Sequence, residues 1–75
     1  MSMTKKEAMA FAISTGKPIR HQTFSKGEYV IYVGNELHDE EGIILPQNEF
    51  WRIRSGGIWE NDWSEYMIHK QIKWG

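Results

Sequence analysis

The sequence predicts an α+β fold: one N-terminal helix packed on a four- or five-stranded antiparallel sheet, in a small single domain that spans residues 1–75. Three observations predict this fold. A capped amphipathic segment opens the chain, short alternating apolar segments follow it, and turns rich in glycine and asparagine separate those segments. No linker, repeat or low-complexity tract interrupts the sequence, so we expect one continuous domain.

The N-terminal helix is predicted by its two ends. Thr4 and Glu7 have the three-residue offset of a capping box, so the helix is expected to begin near Lys5. Gly16 can adopt the left-handed conformation that ends a helix, and Pro18 prevents its continuation. The face expected to be buried consists of Ala8, Phe11, Ala12 and Thr15, widened by Met9 and Ile13.

The strands are predicted by apolar alternation. An extended segment at Ile19 and Arg20 precedes the strand 28–33, in which both faces are apolar, as is typical of a central strand covered on both sides. We expect the helix to cover one face of this strand and a partner subunit or a ligand to cover the other. The further predicted strands are 36–38, 43–45, 50–54 and 63–68, and the tail 69–75 is left unassigned.

The predicted strand 50–54 carries a possible anion-binding face. Its alternation places Phe50, Arg52 and Arg54 on one face, opposite Trp51 and Ile53. Two arginines on one face could hold phosphate groups. The alternative is that they only keep an edge strand soluble.

Composition excludes several classes of function. The formal net charge is −1, whereas a general nucleic-acid binder needs a net basic field. No apolar run approaches the about 18 residues of a membrane span, so we expect a soluble, cytoplasmic protein. The chain has no cysteine, and its three histidines share no ligand spacing, so we expect neither a disulfide, nor a metal, nor a cofactor.

The aromatic content points to an interface. Four Trp, three Tyr and three Phe exceed what the core of a 75-residue domain needs, so some are expected at a subunit contact or ligand site. A chain of this size buries only about 60% of its unfolded surface, so a deep private cleft is hard to build. We therefore expect a homo-oligomer with shallow or shared pockets.

No catalytic arrangement is recognisable. The acidic residues 39–41 are adjacent, so they lack the separated placement of an acid–base pair. No serine lies in a nucleophile elbow, and Gly56 and Gly57 lack the lysine and hydroxyl residue of a phosphate-binding loop. We therefore expect a binding protein and not an enzyme.

The order of these elements resembles a small phage-encoded family that includes the Thoeris anti-defence sponge proteins. The similarity spans about residues 4–66. The matching residues are Glu7-Ala8, Gly16-Lys17, Ile19-Arg20, Phe24, Tyr29 to Tyr32 and Asp62-Trp63.

The resemblance implies a homo-oligomeric phage protein that sequesters a cyclic nucleotide immune signal in the host cytoplasm without cleaving it. The expected ligands are cyclic ADP-ribose isomers or the cyclic dinucleotides of the CBASS pathway. The chain departs from the family pattern at His21 and Phe24, where many relatives carry a basic residue and a Trp, and in the tail that follows Trp63.

Such a ligand presents flat bases and phosphate charge, so its site needs aromatic faces and arginine forks. Lys17 and Lys26 are expected to help recruit the anion. Tyr29 and Tyr32 fall on opposite faces of one strand, so at least one of them is expected to be structural. The predicted ligand-binding residues are Arg20, Tyr29, Tyr32, Arg52, Arg54 and Trp59.

An alternative function belongs to a different class. A Trp-rich surface, including Trp59 and Trp74, would let a phage accessory protein inhibit a host protein by direct binding. Trp59 follows Gly56 and Gly57 in a predicted loop, where it would serve either as a lid over a base or as a surface anchor.

Overall fold

The sheet of this protein has five strands and carries two helices. The computed structural model describes residues 2–67. The strands pair in the order β4-β3-β2-β1-β5, and every pairing is antiparallel. This confirms the predicted α+β single domain and its antiparallel sheet. The elements are α1 (Lys5–Thr15), β1 (Ile19–His21), β2 (Val30–Val33), β3 (Glu36–Asp39), β4 (Ile44–Leu45), α2 (Gln47–Ile53), a 3-10 helix (Gly57–Glu60) and β5 (Trp63–Glu65).

The predicted bounds of α1 are confirmed. Thr4 Oγ1 accepts a hydrogen bond from the Glu7 backbone N–H at 3.1 Å, and the Glu7 carboxylate accepts one from the Thr4 N–H at 2.9 Å. Gly16 ends the helix with φ +71°, a conformation that a residue with a Cβ adopts only at a cost. Ala8 and Ala12 are fully buried, and their small side chains let α1 lie close to the sheet.

The predicted central strand is confirmed, because β2 lies in the middle of the sheet. It pairs with β3 from Val30 opposite Asp39 to Val33 opposite Glu36, and Ile19 of β1 lies opposite Val30. The predicted strand 63–68 is observed as β5 up to Glu65. The predicted continuation at residue 68 and the tail 69–75 lie outside the described residues.

The two faces of the sheet have different surroundings. The core face contributes buried residues from every long strand, and α1 and α2 pack against it. On the opposite face, which we call the open face, Val33 is 51% exposed and Ile44 is 56% exposed. Within residues 2–67, no helix covers the open face. The open-face residues are Arg20, Ile31, Val33, Glu36, His38, Ile44 and Ser64.

The predicted strand 50–54 is wrong, because this segment lies in and just after the helix α2. Phe50 and Trp51 are both buried, and neighbouring residues can both reach one core from a helix, whereas a strand would point them in opposite directions. Over only five residues, alternation does not distinguish one turn of helix from a strand. The preceding Pro46 is the N-cap of α2, a position where its missing backbone N–H breaks no helical hydrogen bond.

Trp63 occupies the centre of the core. It is fully buried, and its indole Nε1 donates a hydrogen bond to the Trp59 carbonyl at 2.7 Å. Its backbone exchanges two hydrogen bonds with Met3, which protects the outer edge of β5. Asp62, with φ +71°, turns the chain immediately before Trp63 enters the sheet. The Asp-Trp motif therefore has a structural role in this fold.

Candidate functional site

His21 is the buried polar residue at the centre of an aromatic cluster. Its Nδ1 accepts a hydrogen bond from the Thr23 N–H at 3.1 Å, which leaves the proton on Nε2, and Nε2 donates to the Ile58 carbonyl at 2.8 Å. The ring centroid of His21 lies 4.5 Å from that of Trp59 and 5.1 Å from that of Trp63. Both nitrogens are thus occupied by the protein itself, so His21 is a packed core residue.

Trp59 does not lie in the predicted loop. It lies in the 3-10 helix and is half-buried against His21, with its ring centroid 6.4 Å from that of Phe24. The predicted loop is therefore wrong at this position, and the role of Trp59 over a base stays a prediction. One part of its ring remains available, and the Arg54 guanidinium approaches it to 5.5 Å.

Arg54 is held between two aromatic rings. Its guanidinium carbon lies 4.1 Å from the Phe50 ring centroid, and its Nη1 donates to the Phe50 carbonyl at 3.3 Å. Burial lowers the pKa of Arg54 below its ordinary value, although the Glu28 carboxylate opposes this shift. The group keeps its positive charge at neutral pH, because an arginine stays protonated in proteins.

Arg20 of β1 lies on the open face, opposite the core face on which Phe50 and Trp59 pack. Its Nη2 donates to the Phe24 carbonyl at 2.9 Å. Arg20 Nε and Arg54 Nε are both buried and lack a hydrogen-bond partner within residues 2–67. A buried donor without an acceptor is costly, so each of these Nε–H groups carries a desolvation cost that no hydrogen bond within residues 2–67 offsets. We give the name arginine–aromatic cluster to Phe24, Phe50, Arg54 and Trp59, which pack on the core-face side of the sheet; Arg20 lies on the open face and is not a member.

The other predicted site residues stand apart from this cluster. Tyr32 is buried, and its hydroxyl accepts a hydrogen bond from Trp51 Nε1 at 3.0 Å, which places it in the core. The expected common face of Arg52 and Arg54 is wrong, because residues two apart on a helix are separated by about 200°. Arg52 instead projects into solvent with 73% of its side chain exposed, 4.0 Å from Glu49.

Tyr29 has a stacking partner within the chain. Its ring lies 4.7 Å from that of Tyr66 at an angle of 28°, and both residues are half-buried. One face of Tyr29 is therefore occupied by a residue that the sequence did not identify. The sequence does not indicate this contact, because 37 positions separate the two tyrosines in the chain.

A groove of about 430 Å³ adjoins Arg54, and we call it the acidic groove. Its apolar walls come from the sheet and from α2, and carboxylates stand at its margin. The lining residues are Glu28, Tyr29, Val30, Asp39, Glu40, Leu45, Pro46, Glu49, Phe50, Ile53 and Arg54. Sequence reasoning assigned the acidic turn only to solvent and did not detect this groove.

The basic residues expected to recruit an anion lie in exposed positions. Lys17 and Lys26 are both exposed, so neither is fixed at a site. Lys5, which sequence reasoning did not consider, is held by the Trp51 carbonyl at 3.2 Å and by Ser55 Oγ at 2.8 Å. Its ammonium group therefore ties α1 to the end of α2.

Residues 2–67 contain no group of three or more His, Cys, Asp or Glu placed to hold a metal ion. In the same range, neither helix has the length and apolar character needed to cross a membrane. Comparisons with family models, with curated proteins and with solved structures give no match to this chain.

Proposed function

We propose that this protein binds a cyclic nucleotide immune signal, either a cyclic dinucleotide or a cyclic ADP-ribose isomer, and sequesters it intact. Its role would be that of a phage anti-defence protein acting in the host cytoplasm, where it keeps the signal from the host effector. The observation that carries the proposal is Arg54, whose buried Nε–H has no hydrogen-bond partner within residues 2–67 and whose guanidinium lies 5.5 Å from the half-buried ring of Trp59. The resemblance of the chain to sponge proteins motivates the choice of ligand class.

The arginine–aromatic cluster supplies the interactions that such a ligand needs. Arg54 uses one donor on the Phe50 carbonyl and keeps others for phosphate oxygens. A base stacked on an aromatic ring contributes on the order of 1–3 kcal/mol, so Trp59 would add to the arginine contacts. Tight binding would require several such contacts to the same ligand.

One chain offers only a small part of the required surface. The acidic groove repels phosphate on one side of Arg54, so the ligand must approach from the side of Trp59. A homo-oligomer would complete the site by repeating the same contacts across a symmetry axis, which suits a ligand that is itself nearly two-fold. The open face is the surface through which we expect the copies to associate.

Replacing Val33 and Ile44 together by lysine is expected to convert the oligomer into a monomer. Both side chains are more than half exposed on the open face, and burying two ammonium groups between subunits carries a large desolvation penalty. Light scattering after size-exclusion chromatography measures the molar mass. The matched control is Ile13→Lys, because Ile13 is 61% exposed but lies on α1. A double variant with an unchanged oligomeric mass would exclude the open face as the interface.

A release assay tests the proposed function directly. The purified protein is incubated with a panel of cyclic dinucleotides and cyclic ADP-ribose isomers, separated from free ligand and then denatured by heat. We expect mass spectrometry to find an intact cyclic nucleotide in the released fraction. Recovery of a linear product would identify a hydrolase instead, and an empty released fraction would overturn ligand sequestration.

The second candidate is inhibition of a host protein by direct binding. The expected Trp-rich surface does not support it, because Trp51 and Trp63 are buried, Trp59 is half-buried, and Trp74 lies outside the described residues. The exposed apolar residues of the open face favour it instead. Retention of no ligand, combined with a monomeric protein, would favour this candidate over sequestration.

A further inference from the structure

The acidic groove combines an apolar floor with a charged margin. Val30 of β2, Leu45 of β4 and Phe50 of α2 form its floor, and Ile53, which is 57% exposed, stands at its lip. The volume of about 430 Å³ falls within the about 300–1,000 Å³ range of ligand pockets. The groove is therefore large enough for one apolar side chain together with the backbone on either side of it.

The margin of the groove concentrates the negative charge of the molecule. Four carboxylates and one guanidinium line it, which gives the groove a formal charge of −3, whereas the whole chain carries −1. The remainder of the protein is therefore net positive. An apolar cleft lined by charges of one sign focuses the electric field and attracts ligands of the opposite sign.

The contacts of these carboxylates leave their charge largely available. Asp39 Oδ1 accepts hydrogen bonds from the Glu41 and Ile43 backbone N–H groups, which fixes the carboxylate beside the groove. Glu40 and Glu49 are exposed. Within residues 2–67, the one ion pair of a groove carboxylate is that of Glu49 with Arg52, at 4.0 Å, and this pair is exposed to solvent.

We infer that the acidic groove binds a basic segment of a partner protein that carries an apolar anchor between lysine or arginine residues. The anchor would occupy the floor formed by Val30, Leu45 and Phe50, and the flanking cations would meet Glu40 and Glu49. Charge complementarity selects this occupant over a nucleotide, because phosphate groups would face four carboxylates. The inference does not rest on the cyclic nucleotide proposal, which concerns the Trp59 side of Arg54.

The test uses the full-length, isotopically labelled protein and three synthetic pentapeptides with blocked ends. The probe alternates lysine and leucine, the second peptide replaces leucine by serine, and the third replaces lysine by glutamate. In amide NMR titrations, we expect the lysine–leucine peptide to shift resonances within 28–30, 39–40 and 45–54. The other two peptides are expected to bind at least about tenfold more weakly, because each lacks one of the two complementary features.

Two double variants test whether the groove carboxylates bind the lysine–leucine peptide. The double variant Glu40→Gln with Glu49→Gln removes two exposed charges from the margin of the groove. It is expected to lower the affinity for the lysine–leucine peptide by about three- to tenfold. The matched control, Glu36→Gln with Glu41→Gln, removes two exposed charges that do not line the groove, and is expected to change the affinity less than twofold.

Three outcomes would overturn the inference. These are equal affinities for the lysine–leucine and glutamate–leucine peptides, resonance shifts confined to another surface, and equal effects of the two double variants. Cyclic nucleotide binding is measured separately in the release assay. Loss of one activity with retention of the other therefore identifies which of the two proposals has failed.

Discussion

Replacing Trp63 by alanine is expected to lower the free energy of unfolding by about 3–5 kcal/mol. The side chain is fully buried, and its ring lies 5.1 Å from that of His21, 5.2 Å from that of Trp51 and 5.7 Å from that of Phe24. Truncating a buried tryptophan costs about 3–5 kcal/mol. A 75-residue domain has a total unfolding free energy of about 4–11 kcal/mol, so the loss removes much or all of it.

Urea denaturation followed by circular dichroism measures this effect. Trp63→Phe keeps an aromatic ring but loses the hydrogen bond from Nε1 to the Trp59 carbonyl, so we expect a smaller loss of stability. Ile13→Ala is the surface control, because Ile13 is 61% exposed, and its effect is expected to stay within about 0.5 kcal/mol. An alanine variant at position 63 with the unfolding midpoint of the parent protein would contradict the central role of this residue.

The first half of the fold was predictable because its signals are local. The capping box of Thr4 and Glu7 and the terminal Gly16 determine the bounds of α1 through contacts within four residues. The apolar alternation of β2 identified a central strand, since both of its faces carry apolar side chains. In these segments local preference and tertiary packing favour the same structure, so one sequence pattern is sufficient.

The segment around Phe50 was misassigned because its local pattern was ambiguous. Alternating aromatic and basic residues are compatible with a strand. The helix is favoured because it lets the neighbouring residues Phe50 and Trp51 both be buried against the sheet. The error has a functional consequence. A strand would align Arg52 with Arg54, whereas α2 turns Arg52 into solvent and leaves Arg54 on the aromatic rings.

The residues of the candidate site could not be predicted from the sequence, because they meet through contacts between distant parts of the chain. Phe24, from the first half of the chain, meets Trp59, and Arg54 lies over the rings of Phe50 and Trp59 from the second half. Tyr32 is a tyrosine on a strand, as a residue that stacks on a ligand base could be. Its hydroxyl, however, accepts a hydrogen bond from the Trp51 indole in the core. The sequence alone does not distinguish a core tyrosine from a ligand-binding one, because it does not show which face of the strand is covered by the rest of the protein.

Replacing Arg54 by glutamine is expected to lower the affinity for a retained cyclic nucleotide by about 10- to 150-fold. A hydrogen bond to a charged group contributes about 1.5–3 kcal/mol. Arg54 is the cluster residue that carries a positive charge beside Trp59, and its buried Nε–H has no partner among residues 2–67. Isothermal titration calorimetry with the nucleotide identified in the release assay measures the change.

The matched control is Arg52→Gln, which removes the same charge from the neighbouring turn of the chain. Arg52 is 73% exposed and meets only Glu49, so this change is expected to alter the affinity less than twofold. Arg54→Lys separates charge from shape, because lysine keeps the positive charge but cannot stack a planar guanidinium on Phe50. Circular dichroism confirms that each variant is folded before its affinity is compared. If Arg52→Gln and Arg54→Gln weakened binding equally, the anion would be attracted by net charge alone, and the arginine–aromatic cluster would not be the binding site.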